Sequence, residues 1–395
     1  MSLVADLESP AFLADPYPTY NRLRELDPVH WLPFDQEGHG MWLVTRYPDV
    51  AATLKDPRLT KDPARFVPEE HLSPLDRSML FRDPPDHTRL RALVSRAFTP
   101  RRVAELEPRI TGIASDLLTG LDRDVPVNFI TGFAVPLPVI VIAELLGVPP
   151  EDRSQFRAWS DAVVGGGDFA RPGEESLRRS EEAMAALVAY FADLVAERRG
   201  HRRDDLISAL LDAQDEDDRL TEHELLGTCI LLLIAGHETT VNLLGNGLLA
   251  LLRHRDQLEL LSARPELAPS AVEEMLRYDS PVQRATFRAA LGALELGGKE
   301  IRPDQPVVPV IGSANRDPAA FPEADRFVIA RQPNRHVAFG LGIHFCLGAP
   351  LARTEARITF PLLVDLFPNI ELAGEPVWAP NTFLRGLSSL PVSLE

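Results

Sequence analysis

The chain has 395 residues, of which 45% are hydrophobic, and its 41 basic and 58 acidic residues give a formal charge of −17. This acidic excess argues against nucleic-acid binding, which relies on basic patches. Only two cysteines are present, which excludes a four-thiolate zinc or iron–sulfur site. No low-complexity linker or internal repeat divides the chain, so we expect a single domain over residues 1–395.

The sequence predicts neither a membrane segment nor a signal peptide. The most apolar run, Cys229 to Gly236, has eight residues, far fewer than the ~20 needed to span a bilayer. The first ten residues carry Asp6 and Glu8 and lack a basic segment followed by an apolar one. We therefore expect a cytoplasmic protein that does not bind membranes.

In chain order, the first eighty residues predict short helices and one hairpin. Helices are expected over 15–26 and 47–55, and a hairpin over 31–45, where β-favouring residues flank two glycines. Residues 56–81 contain four prolines and predict an irregular segment. Long segments of this kind are often functional lids.

The middle of the chain predicts a long series of helices, because its apolar residues recur at helical spacing. These helices are expected over 86–97, 101–121, 136–146, 151–164, 174–199, 204–213, 221–252 and 268–278.

The last third predicts short strands around one long helix. Strands are expected over 286–288, 294–296 and 306–310, followed by a loop-rich segment over 311–345, a helix over 347–367 and a hairpin over 382–394. The pattern as a whole indicates a mainly α protein with small sheets.

The most informative segment is Phe339 to Gly348, which places Cys346 between glycines and the start of the last long helix. A helix N-terminus stabilises a thiolate, and glycines let a flat cofactor approach the backbone. A single thiolate on iron points to haem. The alternative is an ordinary turn before a helix that buries a free cysteine.

A second segment, Ala235 to Thr240, places charged and hydroxyl groups inside the apolar helix expected over 221–252. Such groups are costly there unless they face water or a ligand, and Gly236 costs about 1 kcal/mol relative to alanine. We interpret this segment as a ligand-facing surface. The alternative is a polar patch on a partly exposed helix.

Phe339 to Gly348 matches F-G-x-G-x-H-x-C-x-G and resembles the haem-ligand loop of the cytochrome P-450 family, in particular its soluble bacterial members. Ala235 to Thr239 is similar to the family motif A-G-x-[DE]-T. The resemblance implies the α-rich, triangular single-domain fold with a smaller β region. It also implies haem b, with Cys346 as the iron ligand and with Phe339, Gly340 and Gly348 in the cofactor loop.

The resemblance assigns roles to further residues. It implies that Glu238 and Thr239 are the catalytic acid–alcohol pair that relays protons during oxygen activation. Glu274 to Arg277 is similar to the E-x-x-R motif, and Arg326, in a P-E-x-x-R-F match, is expected to complete a buried structural cluster with them. The residues expected to bind the haem propionates are His87, Arg91, Arg288 and His344.

The resemblance also implies a reaction: a monooxygenase that inserts one oxygen atom from O2 into a hydrophobic substrate, such as a polyketide, terpenoid or peptide. Electrons are expected from a separate ferredoxin, its reductase and NAD(P)H, and the protein is expected to be a monomer. Two alternatives stay open: a peroxide-driven or non-oxygenating haem-thiolate enzyme, and a non-catalytic haem-binding protein. The residues expected to line the substrate pocket are Phe81, Phe169, Leu232, Ala235, Gly236, Val282, Phe287 and Phe383.

Overall fold

The computed structural model describes residues 7, 9–35, 38–166, 174–213 and 219–394. The chain divides into two compact units. The mixed unit comprises residues 1–60, 109–136 and 239–395, and the helical unit comprises residues 61–108 and 137–238. Every strand of the described residues belongs to the mixed unit. The single domain expected over residues 1–395 stays a prediction.

Helices form most of the described chain, which confirms the mainly α fold. A π-helix, Ile130–Ala134, is separated by the single residue Val135 from the sixth α-helix. The α-helices are α1 Pro10–Ala14, α2 Tyr17–Leu26, α3 Tyr47–Thr53, α4 Asp86–Ala97, α5 Pro100–Thr119, α6 Pro136–Leu146, α7 Arg153–Gly166, α8 Glu174–Gly200, α9 Leu206–Asp212, α10 Glu222–Arg253, α11 Arg255–Ala263, α12 Ala268–Tyr278, α13 Ile311–Asn315 and α14 Ala349–Leu366.

In the part of the chain that the structure describes, the strands form one five-stranded sheet and three smaller ones. The larger sheet has the order β1-β2-β8-β5-β3, in which β2 and β8 are parallel and the other neighbours are antiparallel. The strands are β1 Val29–Pro33, β2 Gly40–Val44, β3 Leu59–Thr60, β4 Val127–Asn128, β5 Arg288–Ala290, β6 Leu294–Leu296, β7 Lys299–Ile301, β8 Pro306–Pro309, β9 Glu371–Leu372, β10 Val377–Trp378, β11 Leu387–Ser389 and β12 Pro391–Ser393.

Helix α10 is long and apolar enough to cross a membrane by length and composition, yet 67% of its most apolar stretch is buried inside the protein. Its C-terminal half packs closely in the mixed unit. A Cβ atom at Gly247 would lie 2.7 Å from the Phe360 ring and 2.8 Å from the Met275 sulfur. The helix therefore has the surroundings of a core helix.

The hairpin expected over 382–394 is wrong. Strand β11 pairs with β10, whereas β12 pairs with β4 and β9. Leu390, between the two strands, explains the difference, because its N–H donates to Asn128 Oδ1 at 3.0 Å and its carbonyl accepts from Phe129 N–H at 2.9 Å. These bonds carry the chain from one sheet to the next where a hairpin would need a turn.

Three short α-helices were not predicted, α1, α11 and α13. Helix α11 follows α10 after a single residue, and α13 lies in the segment expected to be loop. The five residues of α13 are too few to show a helical period in the sequence. The strand expected over 286–288 is also displaced, because β5 begins at Arg288.

Candidate functional site

The loop that carries Cys346 ends at helix α14. Gly348 is the N-cap residue of this helix, and Cys346 lies two residues before it. The Cys346 N–H donates to the Phe339 carbonyl at 2.9 Å, which closes the loop on itself. The thiol is exposed. It therefore lies next to the unpaired N–H groups of a helix N-terminus, where a thiolate is stabilised.

Two glycines give the loop its shape. Gly340 and Gly342 have φ angles of +70° and +75°, a region that residues with a Cβ atom rarely adopt. Gly342 is constrained a second time, because a Cβ atom there would lie 3.2 Å from the Leu54 carbonyl oxygen. The backbone of the loop itself therefore requires both glycines.

A charged group on helices α12 and α14 supports the loop. The Arg353 guanidinium lies 4.4 Å from the centre of the Phe339 ring and donates to both Glu273 oxygens at 2.7 and 2.8 Å. His336 Nε2 lies 3.0 Å from the same carboxylate. Burial opposes ionisation of Glu273, yet the hydrogen bonds from His336 and Arg353 lower the pKa of its carboxyl to about 2. Glu273 is therefore an ionised anchor beneath the loop.

The neighbouring Glu274 has no exposed surface and accepts hydrogen bonds from several donors. Arg277, also fully buried, donates to it at 2.7 and 2.8 Å. Arg331 Nε and Asn334 Nδ2 each approach its oxygens to 3.1 Å, and Val328 N–H donates at 2.9 Å. This buried network joins α12 to the segment that leads into the cysteine loop.

The expected place of Arg326 in this cluster is wrong. Its side chain is 67% exposed and pairs with Glu323 at 2.6 Å, and only its carbonyl accepts a bond from Arg277, at 3.0 Å. The N–H of Arg326 bonds to the Glu323 carbonyl in a tight turn, and the two side chains meet at the surface. Arg331 is the second cation of the cluster, and no sequence motif marked it.

Helix α4, in the helical unit, carries two of the residues expected to bind propionates. His87 is only 3% exposed. Burial lowers the pKa of His87, and the positive charges of Arg91 and Lys61 lower it further. Lys61 is itself 3% exposed, and its ammonium lies 5.8 Å from the centre of the Phe81 ring. The buried His87 and Lys61 and the half-buried Arg91 lie close enough to interact electrostatically. Lys61 was not predicted, because it lies in the irregular segment.

The Ala235–Thr240 segment lies in α10, as expected, with Ala235 exposed and Glu238 partly buried. Gly236 packs against α6, because a Cβ atom there would lie 3.0 Å from Ile142 Cδ1. Contact between the two helices is therefore one reason for a glycine at this position. The ligand-facing role expected of the segment stays a prediction.

The carboxyl group of Glu238 has an unusually high pKa. Burial raises the pKa of its carboxyl to about 7, with a further rise from the Asp161 carboxylate and an opposing effect of Arg157. The preceding residue, His237, is 2% exposed and donates through Nδ1 to the Leu233 carbonyl at 2.9 Å. The Glu238 carboxyl can therefore carry a proton at neutral pH.

The comparison with protein families decides between a haem-ligand loop and an ordinary turn that buries a free cysteine. The model of the family described as cytochrome P450 matches residues 173–263 and 263–389. The chain is a cytochrome P450. As a member of this family it is a haem-thiolate monooxygenase with haem b as its cofactor.

Individual relatives match this P450 over nearly its full length. It is 44% identical to the polyketide biosynthesis cytochrome P450 PksS of Bacillus subtilis, over 97% of this chain and 96% of PksS. It is 46% identical to the cytochrome P450 monooxygenase PikC of Streptomyces venezuelae, over 96% of this chain and 91% of PikC. The solved structure of PksS covers 99% of both chains with a TM-score of 0.92 and 43% identity.

The mixed unit of this P450 has the groups that a haem requires. Ile343 and Phe345, which precede the exposed Cys346 in the loop, are 52% and 39% exposed and give the loop an apolar surface. His344, half-buried, lies in the short 3₁₀ turn Gly342–His344. Arg288 is 4% exposed at the start of β5 and donates to the Thr286 carbonyl at 3.1 Å. A thiol, apolar side chains and cations fit a flat apolar macrocycle with two carboxylates.

The described residues expected to line the pocket belong to both units, and their place in a pocket stays a prediction. Val282 forms a β-bridge with Leu384, and the neighbouring Phe383 carbonyl accepts from Gln283 N–H at 2.8 Å, so Val282 and Phe383 lie close. Phe287 instead packs against the core around β8. Leu232 and Phe81 are half-buried in the helical unit. Phe169 lies outside the described residues.

Proposed function

We propose that this P450 inserts one oxygen atom from O2 into a hydrophobic product of secondary metabolism, such as a polyketide, terpenoid or peptide. The observation that carries this proposal is the exposed Cys346 thiol at the N-terminus of α14, in a loop that two left-handed glycines shape. The names of the relatives support the substrate class, since PksS is a polyketide biosynthesis enzyme.

The Cys346 loop would hold the cofactor. When bound, the haem supplies dioxygen activation, and a thiolate ligand favours cleavage of the O–O bond. The N-terminus of α14 would favour the anionic form of the Cys346 sulfur. The Arg353 guanidinium on the Phe339 ring and its bonds to Glu273 hold the loop in place. A Cβ atom at Gly348 would lie 3.9 Å from the Cys346 sulfur, so the glycine keeps this side of the sulfur open.

The cationic residues would bind the propionates. His87, Arg91 and Lys61 are the group in the helical unit, and Arg288 and His344 are the group in the mixed unit. A carboxylate next to His87 would offset the charges that now lower its pKa. We therefore expect the pKa of His87 to be higher in the holoprotein.

Glu238 and Thr239 would handle protons. A carboxyl that is still protonated near pH 7 is a suitable general acid at neutral pH. Glu238 has this property because it is buried and lies near Asp161. We propose that Glu238 delivers protons towards the reacting oxygen atoms, and that the adjacent Thr239 hydroxyl orients the transfer.

The electrons would come from a separate ferredoxin, its reductase and NAD(P)H, because the sequence carries no flavin or iron–sulfur motif. With a formal charge of −17, this P450 would need a local basic face for an acidic partner. Arg335 is exposed and available for this purpose, whereas Arg353 is bound to Glu273. We further propose that the protein acts as a cytoplasmic monomer.

A two-stage experiment tests this function. Reduced holoprotein under carbon monoxide should show the absorption band of a thiolate-ligated haem, and Cys346→Ser should abolish it. A library of polyketides, terpenoids and peptides is then screened for compounds that shift the ferric spectrum. Compounds that bind should be hydroxylated with ferredoxin, reductase and NAD(P)H.

Three results would contradict the proposal in different ways. An unchanged spectrum in Cys346→Ser would exclude this thiolate as the ligand. Turnover with hydrogen peroxide that gains nothing from ferredoxin would favour a peroxide-driven enzyme. Compounds that bind but are never oxidised would favour a non-catalytic haem-binding protein.

A further inference from the structure

Helices α7 and α10 bring three potential metal ligands together within the helical unit. One ligand atom each from Asp161, His237 and Glu238 lies within 4.8 Å of the other two. The sequence did not predict this cluster, because Asp161 is separated from the other two residues by more than seventy positions. No ligand-spacing motif links them.

The state of His237 points to a ligand. Its side chain is 2% exposed, and its Nδ1–H donates to the Leu233 carbonyl at 2.9 Å. That bond leaves the lone pair on Nε2, which is buried and has no hydrogen-bond partner among the described residues. Histidines that bind metals usually donate their other N–H to a carbonyl or carboxylate in this way, which fixes the ring and its tautomer.

The two carboxylates provide negative charge for a metal ion, and one of them opens the cluster to solvent. Asp161 lies on α7 with 51% of its side chain exposed, so an ion can reach the cluster from solvent. Glu238 is partly buried next to His237. Arg157 lies one turn before Asp161 on α7 and approaches its carboxylate to 3.5 Å. This cation is the group that an incoming ion would displace.

We propose that Asp161, His237 and Glu238 form a binding site for a first-row divalent transition-metal ion such as Zn²⁺. Imidazole and carboxylate ligands suit Zn²⁺, whereas Mg²⁺ and Ca²⁺ prefer oxygen ligands alone. Ligand atoms about 2 Å from one zinc ion lie at most about 4 Å apart. The half-exposed Asp161 side chain can make the small movement that this requires, and water completes the coordination.

A bound ion would have a consequence for turnover, and this consequence rests on the proposed role of Glu238. A metal ion bound at this site would occupy a carboxylate oxygen of Glu238, so this side chain could no longer pass protons to the reacting oxygen atoms. We therefore expect Zn²⁺ to slow oxygenation by this P450. Binding of Zn²⁺ itself does not depend on the reaction.

Competition with a chromophoric chelator tests the site in the holoprotein, where Cys346 is occupied by the haem. Wild-type protein should bind one Zn²⁺ ion more tightly than any other, and excess Mg²⁺ should not displace it. His237→Gln and Asp161→Asn should each weaken this binding by roughly 10-fold or more. His39→Gln is the matched control, because His39 is an exposed histidine paired with Asp35 elsewhere in the chain.

Arg157→Gln tests the site without removing a ligand. It should strengthen Zn²⁺ binding, because the competing cation is gone, and Zn²⁺ should raise the melting temperature of this variant more than that of wild type. A normal carbon monoxide spectrum shows that each variant is folded. Equal affinities in wild type, Asp161→Asn and His237→Gln would overturn the site.

Turnover separates the site from the role of Glu238. Inhibition by Zn²⁺ in wild type, lost in His237→Gln together with binding, supports both. Tight binding at this site without inhibition would contradict the proposed role of Glu238 and leave the metal site intact.

Discussion

Glu273 in the mixed unit and Glu238 in the helical unit are both partly buried glutamates, yet their surroundings move their pKa values in opposite directions. Burial opposes ionisation of both. At Glu273, hydrogen bonds from His336 and Arg353 outweigh the effect of burial, and the pKa falls to about 2. At Glu238, the nearby Asp161 carboxylate adds to the effect of burial, and the pKa rises to about 7. The partners of a carboxyl, more than its burial, decide whether it anchors a loop or carries a proton.

This contrast predicts two classes of variant. Changes to the carboxyl groups beneath the cysteine loop should cost stability and cofactor. Changes at Glu238 should cost turnover while the haem stays bound.

The largest effect is expected at Glu274, because its replacement leaves the fully buried Arg277 without its counter-charge. Glu274→Gln should lower the free energy of unfolding by roughly 3–5 kcal/mol, measured by urea unfolding of the holoprotein. The matched control is Arg326→Ala, whose side chain pairs only at the surface. We expect this control to unfold like wild type, and an equally large loss there would restore Arg326 to the cluster.

Glu238→Gln tests the other side of the contrast. The variant should keep the carbon monoxide spectrum of wild type, and its rate of product formation should fall by roughly 100-fold or more, because a general acid is lost. More of the NAD(P)H consumed should end as hydrogen peroxide. Glu222→Gln, at the exposed start of the same helix, should leave product formation unchanged. If Glu238→Gln formed as much product per NAD(P)H consumed as wild type does, Glu238 would have no role in proton delivery.

The contribution of Glu273 to the stability of the protein should depend on pH. Because the pKa of its carboxyl is lowered from about 4.5 to about 2 on folding, its contribution to stability is fully present above about pH 4.5 and is lost as the pH falls towards 2. Glu273→Gln should therefore cost about 1.5–3 kcal/mol at neutral pH. The difference between the two proteins should disappear in acid. Denaturant unfolding at several pH values measures this, and a pH-independent difference would exclude the ionised anchor.

The smallest effect is expected within the loop. Gly342→Ala forces a Cβ into left-handed backbone, which costs about 1–2 kcal/mol, and also brings it 3.2 Å from the Leu54 carbonyl. Gly340→Ala shares the backbone penalty, but the nearest atom to its Cβ is 3.9 Å away. In thermal unfolding, the melting temperature of Gly342→Ala should therefore be lower than that of Gly340→Ala. The reverse order would show that the contact with Leu54 is unimportant.

Features that depend on residues close together in the chain could be predicted from the sequence. The cysteine loop could be found because its glycines, Cys346 and helix start follow one another within ten residues, and most long helices could be found from their apolar period. The sequence did not reveal partners that only the fold brings together. Arg331 reaches Glu274 from 57 positions away, and Lys61 joins His87 from an irregular segment.

The wrong predictions have the same origin. Arg326 fits a local motif, but a turn aims its side chain at Glu323. Strands β11 and β12 are adjacent in sequence, yet bonds from Leu390 to Asn128 and Phe129 send them to different sheets. Local pattern describes what a segment can form, and long-range hydrogen bonds choose its partner.

The close packing of Gly236 against Ile142 matters for anyone who tries to change the substrate range of this enzyme. Libraries that vary position 236 alone will return few active clones with side chains larger than alanine, because Ile142 already occupies the space. Randomising 142 and 236 together, with a smaller aliphatic residue allowed at 142, should recover members that neither single library contains. The two positions should also co-vary among natural homologues, so that a larger side chain at one of them accompanies a smaller side chain at the other.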